Sequence, residues 1–203
     1  MRILPFGESA LLLEFSSSSQ VAAWHAELSR RRDAGELAVT DLVPAARTLL
    51  LDGLDRPADL ATALNTWPPP PPAAERSARL VEVPTVYDGP DLADVAVLWG
   101  VDVSEVIARH TAIEFQVAFC GFSPGFGYLT GLPGHLAVPR LSRPRPAVSA
   151  GSVGLAGPYS GIYPSESPGG WRLIGRTELR LFDPDRDPPA LFQPGARVRF
   201  LPR

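Results

Sequence analysis

The chain has 203 residues, 45% of them hydrophobic and 20% charged, a formal net charge of -3 and 23 prolines. That length suits one large domain or two small ones, and the apolar share supports a real core, which excludes disorder as the default. The acidic balance without a basic run interleaved with aromatics excludes a nucleic-acid footprint, a single cysteine excludes an internal disulfide, and the lack of ~18 consecutive apolar residues excludes a membrane-spanning helix.

Residues 1–4 and 10–15 read as strands joined by "PFGES", a loop with the proline and glycine that turns need. Glu8 and Glu14 break the apolar run and no small-residue cleavage site follows, so the segment is not read as a signal peptide and a cytoplasmic location is expected. "SSSSQVAAWHAELSRRRDAG" predicts a helix: serines to cap it, Val21, Trp24 and Leu28 on one face, Arg30 to Arg32 in the last turn where they complement the dipole, and Gly35 as a stop. Strands at 37–43 and 47–52 flank "PAA", and "RPADLATALNTW" predicts a second helix with Pro57 near its start. The order β, α, ββ, α predicts a small α+β sandwich of ferredoxin-like character.

Trp67 precedes "PPPPP" and "AAERSA", which favour polyproline II and cannot supply ladder hydrogen bonds. The domain boundary is placed here, with a semi-rigid linker at 68–78 preferred over an SH3-type ligand. Beyond it come the strand "RLVEVPTVY" and two helices, one opened by Asp91, the other by Ser104 with Asp102 before it and ended by His110. From Glu114 onward the chain reads as short strands, "EFQVAFC", "LAVPR", "SVGLAG", "GGWRLIGRT", "ELRLFD" and "ARVRFLP", separated by Gly/Pro turns. That pattern predicts a closed or nearly closed β-barrel over 79–203.

The chain carries no phosphate loop, nucleophile elbow or metal-binding helix motif, and His25, His110, His135 and Cys120 have no zinc spacing, so no metal is expected. A Cys120–His110 nucleophile pair is conceivable, but "VAFCGF" places Cys120 in an apolar strand where packing is its expected role. Two glycine-rich segments remain. "GFSPGFGYLTGLP" is expected as a rigid exposed turn presenting Phe122, Phe126 and Tyr128, and "AGSVGLAGPYSGIYPSESPGGW" brings Ser152, Tyr159, Ser160 and Tyr163 together with bare backbone N–H groups. Such donors suit an anion or a small polar amide because they donate without titrating. Between them Arg140, Arg143 and Arg145 could share a face of an extended segment and grip a carboxylate or phosphate; the alternative is turn glycines and solvated arginines.

At these segments the chain resembles a known family. "GFSPGFGYLTGLP", "VPRLSRPRPAVSAGSVGLAG", "SGIYPSESPGGWRLIGRT", "LFDP" and "QPGARVRFLP" stand in the order of the carboxyltransferase-domain subunit 1 family, also called the 5-oxoprolinase B subunit, allophanate hydrolase subunit 1 and the Kip-type inhibitor of a sporulation kinase. The resemblance takes in "YDGPDLADVA" and the helix ending in "RHT", and so nearly the whole chain. It implies a ferredoxin-like domain over 1–67, a cyclophilin-like barrel over 79–203, and a heteromer with a subunit 2 barrel protein (the C subunit) and a third subunit. The implied activity is an ATP-dependent 5-oxoprolinase opening 5-oxo-L-proline to L-glutamate, with ATP used by the complex and not assigned to this chain, and with no nucleic acid or membrane as partner.

On that reading Arg145, Ser152 and Tyr163 are expected to be catalytic, and Ser123, Tyr128, Arg140, Tyr159, Ser160, Ser167, Trp171 and Arg176 to bind substrate. Tyr159-Ser160 departs from the Gln-Thr pair that many relatives carry before "GIYP". Two alternatives remain: a carboxyltransferase component of an allophanate hydrolase or urea carboxylase system, and a non-enzymatic inhibitor of a sensor histidine kinase. The second is motivated by Phe122, Phe126 and Trp171 as exposed interface anchors.

Overall fold

The first strands are short because turn residues bound them. β1 (Arg2–Phe6) and β2 (Ala10–Glu14) form an antiparallel hairpin turned at Gly7, where φ is +65°. In this computed structural model, which describes residues 1–71 and 79–203, the chain divides into two compact units, Met1–Ser77 and Ala78–Arg203. Part of the expected linker, residues 72–78, lies outside the described residues.

In the first unit α1 (Ser18–Asp33) follows the hairpin, capped by the Ser17 hydroxyl, which accepts the Gln20 backbone N–H. β3 (Asp41–Pro44), β4 (Thr48–Asp52) and α2 (Pro57–Leu64) complete it, and the sheet runs β1-β2-β4-β3 with antiparallel neighbours throughout. Leu11, Leu13, Leu49 and Leu51 line one face of that sheet and pack with Val21, Trp24 and Leu28 of α1. Each such burial contributes roughly 1.5–3 kcal/mol. The expected strand from residue 37 starts only at Asp41, because its partner β4 ends at Asp52, whose carbonyl accepts the Thr40 N–H at 2.9 Å and leaves residues 37–39 without a ladder partner. Beyond complementing the dipole, the arginines at the end of α1 are ion-paired: Glu27 accepts from Arg30 and Arg31 at 3.0 and 2.7 Å, and these bonds hold its carboxyl down at about 2. Arg31 also lies over the Trp67 ring, 3.8 Å from its centre, beside prolines 68–71.

The second unit begins with β5 (Leu80–Thr85), α3 (Leu92–Trp99) and α4 (Val103–Ala112). Asp102, with Ser104 bonded to it, caps α4 by accepting the Glu105 N–H at 2.8 Å. The remaining elements are β6 (Phe115–Cys120), β7 (Gly127–Thr130), a 3-10 turn (Gly134–Leu136), β8 (Arg145–Val148), β9 (Ser152–Ala156), β10 (Tyr159–Ile162), β11 (Ser167–Gly169), β12 (Arg172–Arg176) and β13 (Arg197–Pro202). The main sheet has seven strands in the order β12-β9-β10-β7-β6-β13-β5, and β8 and β11 form a separate two-stranded ribbon. Its two ends meet where Val86 and Arg176 exchange backbone hydrogen bonds of 2.9 and 2.8 Å, so the sheet is a nearly closed barrel. Val83, Val95, Phe115, Leu129, Leu155, Phe192 and Phe200 belong to its core. The protein is therefore α+β, with a barrel-like sheet and few helices.

Two expected strands are absent. "LAVPR" retains only a bridge from Val138 to Gly157, and "ELRLFD" only one from Phe182 to Ala190, since neither segment has a neighbouring strand to continue the ladder. Conversely, β7, β10 and β11 lie in segments whose glycines and prolines read as loops, and β8 gives the arginine segment its extended form only over Arg145–Val148. The reason is packing: a Cβ on Gly161 would stand 3.0 Å from both the Phe126 and Trp171 rings, so glycine here admits aromatics against bare strand backbone instead of marking a turn.

Candidate functional site

Tyr163, directly after β10, is 1% exposed and sits in a second, smaller core with Phe126, Val148, Ala156, Trp171 and Leu173. The rings of Phe122, Phe126, Tyr128, Tyr163 and Trp171 contact one another edge to face at 5.0–6.0 Å, and Tyr159 meets Tyr128 in the same way at 5.7 Å. Such pairs fix ring orientation as well as burying area. Both expectations of exposed aromatics, Phe122, Phe126 and Tyr128 on the turn and Phe122, Phe126 and Trp171 as anchors, are corrected: Phe126 and Trp171 are buried and Tyr128 is half-buried, while Phe122 is 57% exposed. Phe122 also has φ +70°, the one positive φ outside glycine among the described residues. Left-handed backbone costs a bulky residue free energy, and such strain clusters at functional sites.

The Tyr163 phenol lies against Gly169, which pairs with Arg145 across the β8–β11 ribbon. Burial raises its pKa, while the Trp171 backbone N–H bonded to its oxygen and the charges of Arg140 and Arg145 pull the other way. It stays protonated at neutral pH, an uncharged hydrogen-bond donor flanked by two cations.

Arg145 is anchored from below. Its Nη2 donates to Asp91 Oδ1 at 2.7 Å, and Asp91 Oδ2 accepts the Leu173 backbone N–H at 2.7 Å. The Asp91 side chain is 6% exposed and that of Arg145 28%. Asp91 thus stands at the start of α3 without capping it through its side chain, contrary to the sequence expectation. The carboxylate is committed to the arginine and the β12 backbone, a stronger use of a buried charge. Arg145 Nη1 is buried and has no hydrogen-bond partner, as is Ser123 Oγ in the turn that carries Phe122.

Ser160 points elsewhere. It is fully buried, and its Oγ lies 3.2 Å from Nε2 of His110, whose Nδ1 lies 2.8 Å from the Tyr87 hydroxyl. The imidazole is packed between Phe115 and Phe200 at 5.1 and 4.5 Å, and burial lowers its pKa to about 3. A neutral ring accepts at one nitrogen and donates at the other, so Tyr87, His110 and Ser160 form one directed chain inside the barrel. His110 and Cys120 do not form a nucleophile pair: the Cys120 thiol faces the Phe192 carbonyl at 3.5 Å, and burial raises its pKa.

The other expected site residues are dispersed. Ser152 in β9 is 9% exposed and is hydrogen-bonded through its backbone to Ser149 and Tyr163. Arg176 opposes it in register but pairs with Asp88 at the surface, at 2.8 Å. Ser167 bonds the Ser165 carbonyl at 3.4 Å, and Arg140 and Arg143 are exposed. The structure gathers Arg145, Tyr163, Tyr128, Tyr159 and Trp171, with Arg140 close enough to act on the phenol. Asp91 and His110 were missed as partners of these residues. Nothing in "YDGPDLADVA" distinguishes the buried Asp91 from the exposed Asp94, because the distinction comes from β8 and β12 packing over α3.

Fold and site define an α+β protein whose near-closed barrel bears a donor-rich patch in which the Asp91 carboxylate is tied to Arg145. The chain belongs to the family described as carboxyltransferase domain, subdomain C and D, which matches residues 1–192. It is 45% identical over 168 residues to the 5-oxoprolinase B subunit of Escherichia coli O157:H7, covering 81% of this chain and 74% of that protein. To the 5-oxoprolinase B subunit of Bacillus subtilis it is 47% identical over 130 residues, 63% of this chain and 54% of that one. A solved conserved protein from Pyrococcus horikoshii superposes with TM-score 0.59 at 34% identity, covering 100% of this chain and 97% of that one. The solved TTHA0988 gives TM-score 0.80 at 36% identity, and there this chain corresponds to 39% of the other's length. The Kluyveromyces lactis urea amidolyase shares the fold, with TM-score 0.71 at 18% identity over 99% of this chain and 15% of that one.

Proposed function

We infer that this chain is one component of a heteromeric, ATP-dependent 5-oxoprolinase that converts 5-oxo-L-proline to L-glutamate. The observation that carries the reading is the 45% identity to an E. coli protein named as the B subunit of 5-oxoprolinase over 81% of the chain. The Arg145–Tyr163 patch supports it chemically. Opening the lactam adds water across an amide bond, with hydroxyl to the carbonyl carbon and a proton to the nitrogen, and ATP supplies the driving force. A patch with cations for the ring carboxylate and a phenol for the carbonyl oxygen can orient that substrate and stabilise developing charge. Its carboxylate, Asp91, is committed to Arg145 and the Leu173 N–H and is not free to activate water, which suits a shared site completed by another chain.

The barrel partner is the C subunit of the same system, with a third subunit in the complex, and the site is cytoplasmic, where ATP is available. The first unit then reads as a ferredoxin-like sheet whose outer strand comes from the N-terminus, and the second as a cyclophilin-like barrel. The test is to purify the complex with and without this chain and follow ATP-dependent glutamate release. Release is expected only when the chain is present; unchanged release on its omission overturns the assignment. Parallel arms with urea and allophanate separate it from the carboxyltransferase alternative.

A further inference from the structure

Among the described residues, the buried side-chain polar atoms without a partner are Ser123 Oγ and Arg145 Nη1. Both belong to the surroundings of Tyr163: Phe122, adjacent to Ser123, lies 6.0 Å ring to ring from it, and Gly169, opposite Arg145, lies against its hydroxyl. An unmade hydrogen bond on a buried charged donor is costly, and proteins keep one where a ligand oxygen completes it. Another arm of the guanidinium is tied, since Asp91 takes Nη2 at 2.7 Å and is itself fixed by the Leu173 N–H. Asp91 therefore anchors Arg145 through Nη2 from outside the patch. Through Arg145 the α3 terminus is tied to the barrel ribbon.

We propose that Asp91 is a positioning residue that holds Arg145 so that Nη1 makes a single charge-assisted contact to the substrate's carboxylate, making the pair the determinant that distinguishes a carboxylated lactam from a plain one. This rests on the 5-oxoprolinase reading. A guanidinium with one arm tied to Asp91 meets a carboxylate through its other arm, so recognition is by one donor, with the exposed Arg140 adding charge.

The experiment uses the reconstituted complex, with 5-oxoproline as substrate and 2-pyrrolidinone, the same ring without the carboxylate, as competitive inhibitor. Asp91→Asn and Arg145→Lys are each expected to raise KM for 5-oxoproline roughly 10- to 100-fold, the loss of one charged hydrogen bond. The inhibition constant of 2-pyrrolidinone is expected to stay within about threefold, because that ring has no carboxylate to lose. A purely structural role would weaken both ligands together or lower kcat alone, and either result overturns the proposal. Thermal melts of each variant check the fold, and Arg145→Lys, which keeps the charge, remains informative if Asp91→Asn melts early. Wild-type complex that releases no glutamate overturns the functional reading and this proposal with it. Wild-type activity with unchanged discrimination in both variants overturns the proposal alone.

Discussion

Acid should unfold the barrel through His110. The ring is fully buried, and its pKa falls from 6.5 in the open chain to about 3 in the fold because burial penalises the imidazolium. At neutral pH both states are uncharged and the residue adds no pH dependence. Below 6.5 the unfolded chain takes up a proton that the folded one refuses, so stability declines as pH falls and the loss is complete near 3. Each pH unit in that window is worth ~1.4 kcal/mol, so at about pH 5 the loss is ~2 kcal/mol, or roughly 4–8 °C in Tm for a chain of this size. The assay compares thermal melts of the wild-type protein and His110→Gln at about pH 7.5 and 5. Glutamine keeps a donor and an acceptor for Tyr87 and Ser160 but does not titrate, so its lost packing against Phe115 and Phe200 lowers Tm similarly at both values. His25, whose pKa is also lowered by burial, is present in both chains and cancels. The wild-type drop is expected to exceed that of the variant by roughly 4–8 °C; equal drops would refute the assignment of acid sensitivity to this ring.

Gly161→Ala is expected to destabilise the barrel by roughly 1–3 kcal/mol in denaturant titrations, because the added methyl meets the Phe126 and Trp171 rings at 3.0 Å and the Gly127 carbonyl at 3.2 Å. An unchanged midpoint would show that the rings move aside freely. Phe122→Gly is expected to leave fold stability within ~0.5 kcal/mol, since glycine accepts the +70° φ and the lost ring is largely exposed, yet, in the heteromer proposed above, to weaken association with the C subunit roughly 10-fold. Equal affinity by titration would remove Phe122 from the interface.

Much of the architecture was legible from local pattern. The α1 stripe of Val21, Trp24 and Leu28 and the Val198 and Phe200 that alternate with the arginines of β13 each specify an element and its buried face, while the continuous leucines of β2 and β4 specify the strand alone. The glycine-rich segments were misread as loops because glycine has two uses that look identical in one dimension. It permits a turn, as at Gly157 with φ +53°, or it clears space beside a strand, as at Gly161, and only the ring packed opposite tells which.

The site divides along the same line. Residue types alone announced a surface of hydroxyls and arginines with no base, and the tyrosines and Arg145 do lie together. Their partners could not be read, because Asp91 and Arg145 stand 54 residues apart and His110 and Ser160 stand 50 apart. What the sequence by itself determined was the α+β make-up, the barrel and the chemistry of the donors, all properties of short-range periodicity and side-chain type. Only the tertiary structure decided which donors are tied and which remain open: Ser160 is spent on His110, and Arg145 keeps one free arm. Burial and charge pairing depend on which distant strands meet, and no local pattern encodes that.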